Sequence, residues 1–329
     1  MKILVTGGCG FIGSNFIRYM LKKYRNIRIV NLDKLTYAGN VNNLKDIKKD
    51  KRYKFIKGDI CNEKLINSLL RTTNYELRTI INFAAETHVD RSIKNASDFI
   101  RTNVEGVRVL LEAAKKYRIK KFIHISTDEV YGDIKKGFSK ETDALLPNSP
   151  YAASKAAADL LCLSYYHTYK VPVIIVRSSN NFGPYQYPEK VMPLFITNLI
   201  EGKKIPLYGN GKNVREWLYV EDNCRGIERI LINGKFGQAY NIGSGKRMHN
   251  LDMAKAILKN FKLKDNCIKF VNDRPGHDRR YALDSSKIKR LGWHPEYFFD
   301  KALGLTISWY MQNGQWWKPL KRGAKIISW

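Results

Sequence analysis

A glycine-rich turn, Gly7-Gly8-Cys9-Gly10-Phe11-Ile12-Gly13, directly follows the apolar run Lys2-Ile-Leu-Val-Thr6 and opens an amphipathic segment that reaches Tyr24. A strand, a tight turn and a helix are the natural reading of this order. Gly7 falls at the turn, Gly10 lets a phosphate approach the backbone, and Gly13 lets the helix pack closely on the strand. Backbone amides and the positive helix end then form a seat for a diphosphate, so a dinucleotide is the expected ligand. Asp33 ends the second apolar run, 20 residues after Gly13. A carboxylate there accepts hydrogen bonds from an adenosine ribose and repels a 2′-phosphate, which favours NAD over NADP. Lys34 beside it is a cation that works against this preference. Asp59 and Ile60, after the third run, lie where side chains reach the adenine, although an aspartate at that place also serves as an ordinary loop cap.

Short Ile/Val-rich runs alternate with amphipathic segments up to Ser178, the rhythm of a parallel sheet buried on both faces. Strands are expected at Lys2-Thr6, Ile27-Leu32, Tyr53-Lys57, Thr79-Phe83, Lys121-Ser126 and Val173-Ser178, and helices at Gly13-Tyr24, Ala96-Tyr117 and Tyr151-Tyr169. From Asn180 the pieces shorten and Gly/Pro punctuation increases, as in a smaller substrate-binding lobe. Strands at Ile205-Tyr208 and Ile268-Val271 and a helix at Asn250-Lys262 are its recognisable elements. The expected division is 1–179 for the dinucleotide domain with the catalytic residues, 180–317 mainly for the second lobe, with segments able to exchange between the two, and 318–329 for a poorly anchored tail.

The 329 residues carry a net charge of +28. Lysine outnumbers arginine, 38 to 20, and the charge is spread over helix faces and loops rather than gathered in a helix-turn-helix or zinc-finger pattern. A solvated lysine-rich surface is expected, not a nucleic-acid site. No run of about 18 apolar residues suggests a membrane span, and Met1-Thr6 is too short an apolar stretch for a signal peptide, so a cytoplasmic location is expected. Five scattered cysteines without CxxC spacing argue for reduced thiols and against a zinc site. His88 and His277 lack paired ligand spacing, and no metal is expected.

The chemistry gathers at Thr127-Asp128-Glu129, behind the run ending at Ser126, and at Tyr151-Ala-Ala-Ser-Lys155. Tyr151 and Lys155, four residues apart, project from one helix face, and an ammonium near a phenol stabilises the phenolate. A phenol starts from a pKa of roughly 10 and needs that help to accept a hydroxyl proton near neutral pH. Two adjacent carboxyls can hold different protonation states and serve as acid and base. Oxidation coupled to elimination is the reaction such a set can perform.

These residues resemble the extended short-chain dehydrogenase/reductase family of nucleotide-sugar enzymes nearly end to end. The segments Asp33-Lys-Leu-Thr-Tyr-Ala-Gly-Asn40, Ala84-Ala-Glu-Thr-His-Val-Asp-Arg-Ser92, Ser126-Thr-Asp-Glu-Val-Tyr-Gly132, Ser179-Asn-Asn-Phe-Gly-Pro184 and Asp273-Arg-Pro-Gly-His-Asp-Arg-Arg280 are similar to its dTDP-glucose 4,6-dehydratases. The resemblance implies a homodimer, each chain an α/β Rossmann doubly wound parallel sheet binding NAD with a smaller C-terminal α/β lobe for the nucleotide sugar. It implies that Tyr151, supported by Thr127 and Lys155, takes the 4-hydroxyl proton, that Glu129 takes the C5 proton and that Asp128 protonates the departing 6-hydroxyl. It further assigns Phe11, Ile12, Thr36, Ala84, Ala85, Thr102 and Asn181 to the cofactor. To the nucleotide sugar it assigns Thr87, Thr127, Asn180, Lys190, Val191, Pro206, Tyr208, Arg215, Asn250, Asp273, Arg274 and His277, with Arg215 as a diphosphate clamp. Cys9 replaces the common alanine, from which thiol sensitivity is expected, Thr87 replaces serine, and Phe182 replaces tyrosine. Competing implications are a UDP-glucose 4,6-dehydratase, a 4-epimerase or decarboxylase, and a non-catalytic NAD- or RNA-binding protein.

Overall fold

A computed structural model describes residues 1–71 and 76–323. Twelve strands are present among these residues: β1 Lys2–Thr6, β2 Arg28–Asp33, β3 Tyr53–Lys57, β4 Thr79–Asn82, β5 Lys121–Thr127, β6 Val173–Ser178, β7 Asn180–Phe182, β8 Ile205–Tyr208, β9 Val214–Tyr219, β10 Gln238–Ile242, β11 Arg247–His249 and β12 Ile268–Val271. Seven of them form one sheet in the order β10-β6-β5-β4-β1-β2-β3, with every neighbouring pair parallel. The chain runs outward from β1 to β3 and then returns to start the other half at β4. This reversal leaves a crevice at the carboxyl ends of β1 and β4, where an open α/β sheet binds its ligand.

Both sheet faces are covered, which is why the strands are apolar throughout rather than alternating. On one face Phe16, Ile17 and Met20 of the Phe11–Lys23 helix pack with Ile227 and Ile230 of the Val220–Asn233 helix. On the other, Ile66, Leu110, Leu111 and Ala158 come from the Glu63–Arg71, Gly106–Lys116 and Pro150–Tyr169 helices. A separate core, with Phe182, Phe195, Trp217, Ile257 and Tyr310, fills the second lobe. Phe182, the residue without a hydroxyl, is 1% exposed and packs against Trp217, Tyr219 and Phe299.

Three expectations change. The seventh sheet strand, β10, comes from the later half of the chain and pairs with β6 from Ile174 to Ser178, because only tertiary pairing could bring it across. The expected helix over 96–117 is continuous in direction but contains a π turn at Ile100–Glu105. Asn103 in this turn is buried and accepts from the Glu86 amide at 2.9 Å while donating to the Glu86 carbonyl at 3.0 Å and the Ser154 hydroxyl at 2.9 Å. The wider turn re-aims its side chains, as such insertions often do at functional sites. Finally, Lys318 to Gly323 are not the poorly anchored tail that was expected, since the Gly314–Gly323 helix is docked through buried Trp317 and through Lys321, which donates to Asn198 at 2.7 Å and pairs with Glu201 at 3.1 Å. Residues 324–329 of that expectation lie outside the described residues.

Candidate active site

One cleft of about 300 Å³ runs along the crevice, and every cofactor candidate lines it: Gly7, Gly10, Phe11, Ile12, Gly13, Asp33, Lys34, Thr36, Asp59, Ile60, Ala84, Ala85, Thr102, Tyr151, Lys155 and Asn181. Local geometry explains the glycines. Gly7 has φ +68°, and a Cβ on Gly13 would lie 2.6 Å from the Gly7 carbonyl oxygen, so neither position accepts an ordinary side chain without distortion. Asp33 accepts from the amides of Cys9 and Leu35, both at 2.8 Å, which orients its carboxylate and leaves lone pairs for ribose hydroxyls. Burial raises this carboxyl and the two amides oppose it. Lys34 pairs with Asp59 at 2.9 Å, so its charge is partly spent within the protein. Asp59 also accepts from the Cys61 amide at 2.9 Å, and it is therefore a loop cap as well as a cleft residue.

Cys9 does not fulfil the expectation of thiol sensitivity. It is fully buried, and desolvation together with nearby Asp33 pushes its thiol up to about 12. The thiolate needed for nucleophilic attack is disfavoured.

The chemical residues come from two elements. β5 ends at Thr127, whose side chain caps the turn Asp128–Tyr131 by accepting from the Glu129 amide at 3.3 Å. Ser149, accepting from the Ala152 amide at 3.1 Å, starts the Pro150–Tyr169 helix that carries Tyr151 and Lys155. Thr127 donates to Asp128 Oδ1 at 3.2 Å and lies near the Tyr151 phenol. Burial and the carboxyls of Glu129 and Asp128 raise that phenol, while Thr127 lowers it. Lys155, expected to support that phenol, is anchored on the backbone of β5. Its ammonium donates to the Ile125 carbonyl at 2.6 Å, and burial pushes it down to about 8.

The two carboxyls are not equivalent. Asp128 is 3% exposed and is raised well above the carboxylate range by burial, by Glu129 and by Glu216. Glu129, half-buried, is also raised by burial, but the cations Arg274, Arg215 and Lys190 pull it back down. The first is held as an acid, and the second has a cationic surround that favours its anion. Such separation of two neighbouring carboxyls is what acid and base roles require.

Among the substrate candidates, Thr87, Thr127, Asn180 and Lys190 line the cleft. The others do not line it. Arg215 and Arg274 are nevertheless close enough to act on Glu129, and Tyr208 and Arg274 meet at Asp90, at 3.1 and 3.0 Å. His277 bonds Asp273 at 2.6 Å and stacks edge-on to Tyr208. Arg215 donates to the Asp278 carbonyl at 2.8 Å and lies over the Tyr281 ring. Val191 packs with the core of the second lobe, Pro206 pairs in register with Lys269, and Asn250 opens the Asn250–Asn260 helix with its Oδ1 unpartnered among the described residues.

The cleft fits a long polar ligand. Buried Ser126 Oγ, Asp128 Oδ2, Ser179 Oγ, Asn180 Oδ1, Asn181 Oδ1 and Gln186 Oε1 have no hydrogen-bond partner among the described residues, and all six residues line it. Buried polar atoms are costly unless paired, so a ligand that pairs them is favoured. No cluster of three His, Cys, Asp or Glu suited to a metal occurs among the described residues.

Residues 4–306 match the family model described as GDP-mannose 4,6 dehydratase. A dTDP-glucose 4,6-dehydratase of Streptomyces niveus is 48% identical over 326 residues, covering 98% of this chain and 96% of that protein. The chain belongs to the nucleotide-sugar 4,6-dehydratase family. Two solved members of this dehydratase family superimpose closely. The dTDP-glucose 4,6-dehydratase of Bacillus anthracis, in complex with NAD, has a TM-score of 0.92 at 48% identity, with 97% of this chain and 99% of that one covered. The enzyme of Streptomyces venezuelae, with NAD and TYD bound, has a TM-score of 0.94 at 46% identity, with coverage of 97% and 100%.

Sequence reasoning missed three carboxyls that surround this site. Asp90, Glu189 and Glu216 are buried carboxyls around it. Glu189 pairs with Arg91 at 2.8 Å, and Glu216 accepts from the amides of Gly245 at 2.7 Å and Leu283 at 3.1 Å. Asp90 was visible inside the quoted Ala84–Ser92 segment. Glu216 carried a weaker signal, a charged residue inside an apolar run next to Arg215.

Proposed function

We propose that this chain converts dTDP-glucose to dTDP-4-dehydro-6-deoxyglucose and water, as an NAD-dependent 4,6-dehydratase. The observation that carries this reading is the unequal pair Asp128 and Glu129, set on one turn beside Tyr151. A dinucleotide site with a tyrosine and a lysine would serve a simple oxidation or an epimerisation equally well. The acid beside a base is what an elimination needs.

Held by the Gly7–Gly13 turn and Asp33, NAD would supply a hydride acceptor for sugar C4 and, once reduced, the hydride donor for C6, so that no net oxidation would remain. Tyr151 takes the 4-hydroxyl proton, with the Thr127 hydroxyl and the Lys155 ammonium stabilising the phenolate. The 4-ketone acidifies the C5 hydrogen. Glu129, with Arg274, Arg215 and Lys190 favouring its anion, takes the C5 proton. Asp128, kept protonated by burial and by its carboxylate neighbours, delivers its proton to the 6-hydroxyl as water leaves. Asp33 excludes a 2′-phosphate and selects NAD. Arg215 clamps the diphosphate with its planar fork, while Thr87, Asn180, Lys190, Tyr208, Asn250 and the Asp273, Arg274 and His277 loop hold the rest of the nucleotide sugar. Val191 and Pro206 complete the proposed wall behind them.

The reading includes a homodimer in the cytoplasm. Family resemblance supports it, as do Ile100 and Leu160, apolar side chains exposed on helices. Light scattering on purified protein checks the dimer. No helix among the described residues is long and apolar enough to cross a membrane. Incubation with dTDP-glucose and, separately, UDP-glucose should yield the alkali-induced absorbance of a 4-keto sugar, faster with dTDP-glucose. Silence with both would sink the dehydratase reading, and preference for UDP-glucose would sink the thymine assignment.

A further inference from the structure

The Pro150–Tyr169 helix puts Asp159 one turn beyond Lys155, on the same face. Both are almost fully buried, as are His124 on β5 and Arg177 on β6. His124 Nε2 lies 3.4 Å from Lys155 Nζ and 3.7 Å from Asp159 Oδ1. Arg177 Nε donates to Asp159 Oδ2 at 2.8 Å, and its Nη1 donates to the Tyr131 hydroxyl at 2.8 Å. On the far side, Thr6 Oγ1 donates to Asn82 Oδ1 at 2.5 Å, so the Asn82 amino group faces His124 Nδ1 at 3.3 Å. Nδ1 must then accept. The proton of the neutral ring sits on Nε2 and is directed toward Asp159. Asp159 Oδ1, 3.7 Å from that nitrogen, has no hydrogen-bond partner among the described residues.

We propose that Asp159, aimed by His124 and Arg177, is a positioning residue for the reaction: its carboxylate is the buried counter-charge that keeps Lys155 an ammonium beside the cleft. This inference rests on the dehydratase reading for the role of Lys155. The charge inventory supports it. Two cations, Lys155 and Arg177, share this carboxylate inside the core. His124 is held neutral, well below its ordinary range, by burial and by those same two cations. Cys162, one further turn along the helix, is raised well above the thiol range by burial and by Asp159, so it is a neutral thiol. Burial lowers Lys155, and Asp159 is the leading influence in the opposite direction. Tyr151 precedes Lys155 on the helix and Asp128 and Glu129 approach from the β5 turn, but the raised Asp128 and Tyr151 contribute no steady negative charge near neutral pH. Asp159 touches no cleft surface. It acts through Lys155.

The test is Asp159→Asn, which keeps an acceptor for Arg177 and removes the charge. In protein labelled with ¹³C at lysine Cε, with the Lys155 signal assigned through Lys155→Met, the Lys155 titration midpoint should fall by about one pH unit or more. The alkaline limb of kcat should move by the same amount, so that kcat near the wild-type midpoint drops several-fold, approaching tenfold, since one pH unit is a tenfold change in protonation ratio, while KM stays within about twofold. Should Asp159→Asn fail to fold, the neutral pair Asp159→Asn with Arg177→Gln carries the same expectation. An unmoved Lys155 midpoint, with a pH profile that overlays the wild type, would overturn the proposal. The NMR titration needs no turnover, so it judges Asp159 even if the wild-type protein makes no 4-keto sugar, a result that would strike the functional reading instead.

Discussion

The two ends of the cleft are built in different ways. At the cofactor end, contiguous segments supply nearly all of the wall: the Gly7–Gly13 turn, Asp33 and Lys34, Asp59 and Ile60, Ala84 and Ala85. Each follows a sheet strand directly, so the parallel sheet brings them to one edge by repetition of a single local unit. At the proposed sugar end, beyond the lining of the cleft itself, Arg215 comes from β9, Tyr208 from β8, and Arg274 and His277 from a loop, and most of their partners are far away in sequence. Arg274 and Tyr208 meet at Asp90, 184 and 118 residues distant. A locally encoded wall tolerates little change at single backbone positions. An assembled wall depends on several side chains, each contributing a part.

The comparison can be broken most sharply where the two ends meet. Asp128→Asn and Glu129→Gln should each lower kcat by roughly 10²–10⁴-fold, the range for loss of general acid or base catalysis. Glu129→Gln should also abolish solvent deuterium incorporation at C5 while Asp128→Asn leaves it; loss of exchange in both variants would break the division of roles. The wild-type kcat should follow a bell. It falls as rising pH takes the proton from Lys155, which burial pushes down to about 8, and as falling pH protonates Glu129, while Asp128, raised well above its ordinary range, keeps its proton across the plateau.

Next in size is the cofactor wall. Gly13→Ala should weaken NAD binding roughly 5- to 150-fold, which corresponds to an overpacking cost of about 1–3 kcal/mol, as read by fluorescence titration. NAD affinity equal to wild type would mean that the turn relaxes without cost.

At the sugar wall, Arg215→Lys keeps the charge but loses the fork. KM for dTDP-glucose should rise about tenfold, as the loss of one charge-assisted hydrogen bond of about 1.5 kcal/mol implies. NAD affinity should stay unchanged, and a parallel loss of both would show that the two ends are not separable. The smallest effect is expected for Lys34→Ala. Its pairing with Asp59 is half-exposed, and such pairs contribute about 0–1 kcal/mol, so NAD affinity should change by less than about fivefold.

What could be read from the sequence follows the same division. The parallel order of β1 to β6 and the glycine turn were legible because hydrophobic period and turn chemistry are local. The proposed acid and base were legible as a tripeptide, and unequal protonation was expected of them, but the groups that make them unequal were not. Asp128 differs from Glu129 because of burial, Glu216 on one side and three cations on the other, none of them adjacent in sequence. The π turn at Ile100–Glu105 was illegible because it is stabilised by Asn103 reaching Glu86 and Ser154, not by the propensity of its own residues. Lys318 to Gly323 were read as tail for a similar reason: the helix that holds them is anchored by Trp317, whose indole donates to the Tyr310 carbonyl within a core that the second lobe assembles around it.

By itself, the sequence determined the nucleotide-binding half, since a strand, a glycine turn and a helix need only their own residues to take shape. It also determined which atoms are available for chemistry. Tertiary structure alone decided how those atoms are charged, how the proposed sugar wall is assembled and which buried groups surround Lys155, because desolvation and Coulomb interactions depend on distance through space and not along the chain.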